Sequence, residues 1–127
     1  MVLGGAVRIL IVEDELLLAM DLHCLLNELG YENVYLAQNI SRAFELFDAI
    51  HPDFAILDVN IGGDLVFPFA TNLVSHNVPF VFSTGVRPET FSVEWQNYAI
   101  LSKPVIGTQL DVAMRSLAVS HPILARR

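Results

Sequence analysis

Hydrophobic residues recur along the chain in short blocks that predict alternating strands and helices. The first predicted strand, Val7–Val12, is apolar apart from Arg8 and stops at Glu13, which is typical of a strand buried on both faces. The other predicted strands are also short, mainly apolar runs. The segment after each run is long enough to form a helix. The five runs are Val7–Val12, Val34–Ala37, Phe54–Leu57, Val78–Ser83 and Ala99–Leu101.

The first three segments between the runs carry clear helix signals. Leucines at positions 18, 22, 25 and 29 form one apolar stripe, and Gly30 follows them as a residue favoured at helix C-termini. Asn39 can cap a second helix that ends near Ile50, before a His-Pro pair. A third helix is predicted within Leu65–Ser75, where Pro68 is tolerated in the first turn.

The later connecting segments are less regular. Arg87–Asn97 contains apolar residues at period 2 but also a Pro-Glu pair that favours a helix start, so we predict a poorly formed fourth helix. The fifth helix begins near Thr108, which forms a capping-box-like pair with Asp111. After the third strand, Gly62 and Gly63 indicate a loop that lacks the lysine of a phosphate-binding loop.

The alternation of strands and helices determines the predicted fold class. Strand–helix–strand units close with right-handed crossovers, which gives a parallel sheet with helices on both faces. We therefore predict an α/β fold of the (βα)5 type, a doubly wound five-stranded sheet. A flavodoxin-like strand order, 2-1-3-4-5, fits best, and ligands of such folds bind beyond the carboxyl ends of the strands.

The composition is that of one small domain with a full core. The chain has 127 residues, of which 54% are hydrophobic, so global disorder is excluded. We expect one domain over residues 7–119, with short flexible termini at 1–6 and 120–127. The apolar runs are shorter than the roughly 18 residues that span a bilayer, and the first residues do not resemble a secretion signal.

The net charge and the cysteine content exclude several classes of partner and bond. The net charge of −7 opposes binding to nucleic acids and to anionic membranes. The single cysteine, Cys24, excludes an intramolecular disulfide and favours a reducing cytoplasm as the location. The four histidines lack metal-ligand spacing, and we interpret them and Cys24 as structural or surface residues. Lys103 is the only lysine in the chain.

Polar residues follow four of the five predicted strands at their carboxyl ends. Because the carboxyl ends of parallel strands lie at one edge of a sheet, we expect these side chains to converge. A solvated strand-end or turn residue is the simpler interpretation for each of them alone, but their matching positions favour a shared site. In chain order they are Glu13, Asp14, Asp58, Thr84 and Lys103.

Three converging carboxylates predict a metal site, since they repel one another unless a cation lies between them. Oxygen ligands favour Mg²⁺, or Mn²⁺, over zinc. We expect Asp14 and Asp58 to be direct ligands and the backbone carbonyl of Asn60 to be a third. Glu13 is expected to act through water. Such a site keeps positions for water and for a phosphoryl group.

Asp58 has a second expected role, because a carboxylate can accept a phosphoryl group and become an aspartyl-phosphate. The charge of the transferring group would be compensated by the metal and by Lys103, while Thr84 donates a hydroxyl hydrogen bond. Lysine suits this task as a compact and mobile point charge.

Four segments resemble the motifs of response-regulator receiver domains of two-component signalling. They are Val7–Asp14 (VRILIVED), Ala55–Asn60 (AILDVN), Phe82–Gly85 (FSTG) and Leu101–Pro104 (LSKP). The resemblance covers the chain from about Arg8 to Leu117. It implies phosphotransfer from a histidine kinase to Asp58, with no enzyme activity beyond self-catalysed phosphotransfer and autodephosphorylation.

The resemblance also implies how the site is built and used. Metal binding would involve Glu13, Asp14 and Asp58. Thr84 and Lys103 would form a switch pair, and the Lys-Pro peptide bond would be cis. Since no output domain is predicted, the resemblance implies a stand-alone regulator that contacts another protein, exchanges its phosphoryl group with a phosphotransfer protein, or acts as a phosphate sink.

One position departs from most receivers, which carry an aromatic residue three positions before the motif lysine, where this chain has Ile100. The stretch PFVFSTG together with LSKP resembles the FAT GUY receivers, which lack that aromatic residue and are linked to HWE and related histidine kinases of alphaproteobacteria. Ser83 stands for the Ala of that subgroup, and Arg87 for its Tyr.

Two other functions remain open at the level of the sequence. A degenerate receiver could act as a binding module that needs no phosphorylation, although the intact Asp14, Asp58, Thr84 and Lys103 argue against it. A metal-dependent phosphatase with an aspartate nucleophile would place a second Asp two residues after Asp58, where this chain has Asn60.

Overall fold

The computed structural model describes residues 6–85 and 91–125. Its centre is a parallel sheet of five strands: β1 (Arg8–Val12), β2 (Asn33–Ala37), β3 (Phe54–Asp58), β6 (Phe80–Thr84) and β7 (Ile100–Ser102). Their order in the sheet is β2-β1-β3-β6-β7, which confirms the predicted order once only the strands of this sheet are counted. The short strands β4 (Asn60–Ile61) and β5 (Asp64–Leu65) form a separate hairpin.

Four α-helices of the described residues cover both faces of the sheet. They are α1 (Leu16–Glu28), α2 (Ile40–Ile50), α3 (Phe67–Ser75) and α4 (Gly107–Ala118). Alternate residues of each strand point to opposite faces. In β1, for example, Leu10 and Val12 pack with α2 and α3, whereas Ile9 and Ile11 pack with α1 and α4. The central strands β1, β3 and β6 are therefore buried on both sides, as predicted for β1, whereas the edge strands β2 and β7 are partly exposed.

The helix boundaries follow from local chemistry. The side chain of Asn39 accepts a hydrogen bond of 2.7 Å from the backbone N–H of Arg42, which confirms the predicted cap of α2. Gly30 follows α1 with φ of 100°, a backbone conformation that glycine adopts without strain. Pro68 lies in the first turn of α3, where its missing N–H has no helical partner to lose.

The predicted capping box of the last helix is wrong. Helix α4 begins at Gly107, so Thr108 lies inside the first turn and not at the cap position, which Ile106 occupies without a side-chain cap. Asp111 instead accepts a hydrogen bond of 2.9 Å from Arg115 one turn later.

The predicted fourth helix is also wrong for the residues that the structure describes. Residues 91–97 contain a single 3₁₀ turn, Val93–Trp95, and residues 86–90 lie outside the described part of the chain. Only Phe91 and Trp95 of this segment are buried, and Val93 is 80% exposed. Two buried anchors do not make the apolar stripe that holds an α-helix on a sheet.

The β4–β5 hairpin was not predicted from the sequence. Its two-residue turn consists of Gly62 and Gly63, with φ of 59° and 90°. Positive φ at both central positions is what a tight hairpin turn of type I′ requires, and glycine accepts it at little cost. The two glycines that indicated a loop thus form a defined turn.

The predicted flexible tail is partly packed. Residues Pro122–Ala125 form a 3₁₀ turn, and Leu124 is buried in the core on the α1 and α4 side. The buried hydroxyl of Tyr31 donates a hydrogen bond of 2.8 Å to the backbone carbonyl of Leu124, 93 positions away. Of the predicted N-terminal lead-in, only Ala6 lies within the described residues.

We expect Tyr31→Phe to lower the free energy of unfolding by about 1–3 kcal/mol, because the variant leaves the buried carbonyl of Leu124 without this donor. Urea denaturation measures the effect. Tyr35→Phe is the matched control, since Tyr35 is partly exposed in β2. Equal stability of the two variants would show that the Tyr31 hydroxyl does not hold the C-terminal turn in place.

Candidate functional site

The sheet places the predicted site residues at one edge. In the parallel register, Val12 pairs with Leu57 of β3, so Glu13 and Asp58 follow at the same level. Asp58 in turn pairs with Ser83 of β6. The ends of β1, β3 and β6 are therefore aligned, and the residues at these ends lie close together.

The three carboxylates predicted to bind metal do converge. One oxygen from each of Glu13, Asp14 and Asp58 lies within 4.8 Å of the others. Glu13 and Asp58 are buried, with relative exposures of 1% and 8%, whereas Asp14 is exposed. A buried carboxylate is costly unless it is paired, so this cluster requires positive charge nearby.

Lys103 supplies positive charge to the cluster. Its Nζ lies 2.8 Å from Oε1 of Glu13 and 3.0 Å from Oδ2 of Asp58. The lysine comes from the end of β7 and is itself about four-fifths buried. One ammonium group therefore bridges two carboxylates in a partly desolvated setting, where charge pairs interact more strongly than at the surface.

The surroundings change the proton affinities of both partners. Burial raises the pKa of the Glu13 carboxyl and the charge of Asp58 adds to the rise, although hydrogen bonds from Lys103 and from the backbone of Glu15 oppose it. Burial by itself lowers the pKa of Lys103, but its hydrogen bonds to Glu13 and Asp58 outweigh that effect and the pKa is raised. Lys103 thus stays charged at neutral pH.

Asp14 is held by the hairpin that the sequence analysis missed. Its Oδ2 accepts a hydrogen bond of 3.0 Å from the backbone N–H of Gly62 at the hairpin turn. The adjacent glycine pair was the only sequence signal for this contact, because such a pair marks a tight turn. The hairpin consequently orients one oxygen of the acidic cluster.

The hairpin also sets the direction of the Asn60 carbonyl. The N–H of Val66 donates to the carbonyl of Val59, so this pair is hydrogen-bonded across the ladder. In antiparallel pairing the next pair, Asn60 and Leu65, is then a non-hydrogen-bonded one whose backbone groups point away from the partner strand. The carbonyl of Asn60 is therefore not used by the hairpin, as the predicted third ligand requires.

Thr84 and Lys103 are neighbours through the backbone. The N–H of Lys103 donates a hydrogen bond of 3.0 Å to the carbonyl of Thr84, which is 4% exposed. The peptide bond between Lys103 and Pro104 is cis, as the receiver resemblance implies.

The donor set fits a hard divalent cation. Glu13, Asp14 and Asp58 supply carboxylate oxygens, and a carbonyl oxygen lies two residues after Asp58. Mg²⁺ is bound in proteins through one or two carboxylates while it keeps several waters, so an exposed Asp14 beside a buried Asp58 suits it. Soft ligands such as cysteine do not contribute to this cluster, since Cys24 is exposed on α1.

Ile100, which departs from the usual receiver pattern, and Ser83, which departs from the FAT GUY pattern, both lie within the sheet. Ile100, half-buried in β7, pairs with Phe82 and packs against the core on the α2 and α3 side. Ser83 is 1% exposed, with its side chain on the opposite side, toward α1. Arg87 lies outside the described residues.

Comparison with protein-family models gives a match to the response regulator receiver domain over residues 9–115. Among curated proteins, the sensory transduction protein LytT of Bacillus subtilis is 34% identical over 103 residues, which cover 76% of this chain and 42% of LytT. The transcriptional regulatory protein PdtaR of Mycobacterium tuberculosis is 46% identical over 54 residues, which cover 42% of this chain and 26% of PdtaR. The chain thus spans less than half the length of either relative.

Solved structures support the same assignment. The solution structure of SdrG from Sphingomonas melonis Fr1 has a TM-score of 0.79 and 33% identity, covering 91% of this chain and 98% of the SdrG chain. A second solution structure shows SdrG in a BeF3-activated conformation, with a TM-score of 0.76 and 34% identity over 90% of this chain and 98% of that one.

Receiver domains are signalling modules that interact with histidine kinases and generally bind Mg²⁺. Among residues 6–85 and 91–125, no helix is both long and apolar enough to cross a bilayer. Since the family match spans residues 9–115 and the acidic cluster lies at the predicted strand edge, this chain belongs to the response regulator receiver domain family of two-component signalling.

Proposed function

We propose that Asp58 accepts a phosphoryl group from a histidine kinase in a reaction that depends on Mg²⁺. The observation that carries this proposal is the position of the Asp58 carboxylate, 3.0 Å from the Lys103 ammonium and within 4.8 Å of oxygens of Glu13 and Asp14. A plain structural carboxylate has no need of two further acidic groups beside it.

The transfer needs little covalent chemistry from the protein. An oxygen of Asp58 forms a bond to phosphorus while the bond from phosphorus to the kinase histidine breaks and its electron pair returns to the imidazole nitrogen. The metal, when bound to the acidic cluster, supplies Lewis-acid stabilisation of the phosphoryl oxygens. Asp14 and Asp58 would hold it directly and Glu13 through water, and the Asn60 carbonyl would complete the set of protein ligands.

Lys103 would compensate charge during the transfer. Its ammonium already lies beside the acceptor oxygen, and its raised pKa keeps it protonated. The preorganised charge lowers the barrier because little rearrangement is needed as negative charge moves onto Asp58. Thr84, at the end of β6, would donate its hydroxyl to a phosphoryl oxygen.

The partner we propose is a kinase of the HWE or a related type. The support is the FAT GUY-like stretch PFVFSTG with LSKP, together with Ile100 in place of the usual aromatic residue. We further propose that the phosphorylated domain passes its signal on by protein contact.

The route of the signal runs through the segment after β6. Thr84 lies two residues after Phe82, on the same face of β6. The ring of Phe82 packs against two rings of the 3₁₀ turn region, with centroid distances of 5.4 Å to Phe91 and 5.9 Å to Trp95. Phe67 of α3 stacks on Trp95 at 5.3 Å. A shift of Thr84 toward a phosphoryl group would therefore disturb this aromatic contact, whereas Ile100 has no polar tip that could report the change.

Incubation with acetyl phosphate and Mg²⁺ tests the proposal. We expect the intact mass to rise by one phosphoryl group, and Asp58→Asn to abolish the gain because the amide is not a nucleophile of this kind. Asp64→Asn, in the exposed hairpin, is the control that keeps the gain. An unmodified wild-type chain would favour a binding module that needs no phosphorylation, and turnover of phosphate esters would favour a phosphatase.

Asp14→Ala is expected to slow Mg²⁺-dependent phosphorylation about 100-fold or more, because a direct metal ligand is lost. The free energy of unfolding without metal should change by less than about 1 kcal/mol, since loss of the Gly62 hydrogen bond and relief of repulsion act in opposite directions. Asp64→Ala serves as the control. A phosphorylation rate of Asp14→Ala equal to that of the wild type would refute the metal assignment.

Thr84→Ala and Ile100→Ala should separate switching from stability. The chain has a single tryptophan, Trp95, so its fluorescence reports the aromatic contact when the phosphoryl mimic beryllofluoride is added. We expect Ile100→Ala to lose about 1–3 kcal/mol of stability yet keep the fluorescence response. Thr84→Ala should be phosphorylated but lose most of the response. The reverse pattern would place the switch at Ile100.

A further inference from the structure

A small cavity lies behind the acidic cluster, on the α1 side of the sheet. It has a volume of about 40 Å³. Its apolar wall comes from leucines of α1 and from Pro104 and Val105 after β7, and its polar wall comes from Glu13, Asp21, Ser83 and Lys103. The cavity is thus apolar on one side and carries four polar groups on the other.

Ser83 is the unusual member of this wall. Its hydroxyl is buried, and it has no hydrogen-bond partner among the atoms of the described residues. A buried hydroxyl without a partner costs about 1–3 kcal/mol, and in native proteins such groups are nearly always satisfied by the protein or by ordered water. The hydroxyl of Ser83 therefore requires a partner inside the cavity.

Lys103 has a hydrogen-bond donor that could face the same cavity. Its ammonium has three N–H donors, of which two are directed to Glu13 and Asp58. The third is available to a group in the cavity that Lys103 lines. A single molecule that accepts a hydrogen bond from Lys103 and forms another with the Ser83 hydroxyl would give both groups a partner.

Water is the ligand that fits. A cavity of about 40 Å³ exceeds the roughly 10–15 Å³ that one water needs, and it is too small for an organic ligand. A buried water also needs two to four polar partners, which Ser83, Lys103 and Glu13 supply. The acidic groups in the wall disfavour an anion.

We propose that this cavity holds ordered water that links the Ser83 hydroxyl to the Lys103 ammonium and the Glu13 carboxylate. Ser83 is then a positioning residue for Lys103, acting through water. The water accepts a hydrogen bond from the third N–H of Lys103, so the ammonium group can stay in contact with Asp58 and Glu13. In Ser83→Ala the water would lose its hydrogen bond to the serine hydroxyl, so it would hold the third N–H of Lys103 less firmly.

Unfolding of the unphosphorylated protein by urea gives the first test. If water bridges Ser83, Ser83→Ala loses a hydrogen-bonded anchor and the equilibrium constant for unfolding rises about 2- to 10-fold relative to the wild type. Ser83→Thr keeps a hydroxyl and should show a smaller rise than Ser83→Ala. Ser102→Ala, at an exposed position of the adjacent strand β7, controls for the intrinsic effect of the substitution.

The opposite sign would overturn the proposal. If the hydroxyl is buried without water, Ser83→Ala removes a costly polar group, and the equilibrium constant for unfolding falls below that of the wild type. A high-resolution crystal structure of the wild-type protein gives an independent result. A water within hydrogen-bond distance of Ser83 Oγ supports the proposal, and a dry cavity refutes it.

The positioning role has its own readout. Because Lys103 is the only lysine, its side-chain ¹⁵N resonance is assigned without ambiguity. We expect the ammonium hydrogens of Lys103 to exchange with solvent at least about 3-fold faster in Ser83→Ala than in the wild type, and Ser83→Thr to restore slow exchange. Equal exchange rates in all three proteins would show that Ser83 does not act on Lys103. These measurements need no phosphorylation, so they stand or fall separately from the proposed function.

Discussion

Repulsion among three carboxylates is the constraint on which this site depends. Glu13 and Asp58 are buried beside Asp14, and such a cluster is stable only with positive charge next to it. Lys103 supplies that charge from the far side, bridging two of the three at 2.8 and 3.0 Å. A divalent cation would supply more on the side of the exposed Asp14. With three carboxylates and one ammonium the cluster keeps a net negative charge, which favours a divalent cation.

The sheet makes this charge arrangement possible. Residues 45 positions apart along the chain, Glu13 and Asp58, meet because parallel strands end at one edge in aligned register. The burial of β1, β3 and β6 on both faces keeps these ends from shifting relative to one another. The strands thus fix the positions of the acidic residues at their carboxyl ends.

The surroundings of the end of β6 differ on the two sides of the sheet. On the α2 and α3 side, Phe82, Phe91 and Trp95 connect the end of β6 to a region with little regular structure. On the α1 side, Ser83 faces a small polar cavity that reaches Lys103. Adjacent residues of one strand therefore contact two different environments, since side chains alternate across a sheet. The aromatic environment carries the proposed signal route, and the polar cavity carries the proposed water link to Lys103.

The order of apolar runs along the chain was enough to predict the sheet and its strand order, and the polar residues at the strand ends predicted which side chains converge at the carboxyl edge, because both are local patterns. It also indicated the caps at Asn39 and Gly30. Tertiary structure decided what depends on distant partners. The glycine pair became a hairpin that holds Asp14, and the tail packed because Tyr31 reaches Leu124. The fourth predicted helix is reduced to a 3₁₀ turn in residues 91–97, since its buried side chains pack against other aromatic rings and not along a helical stripe.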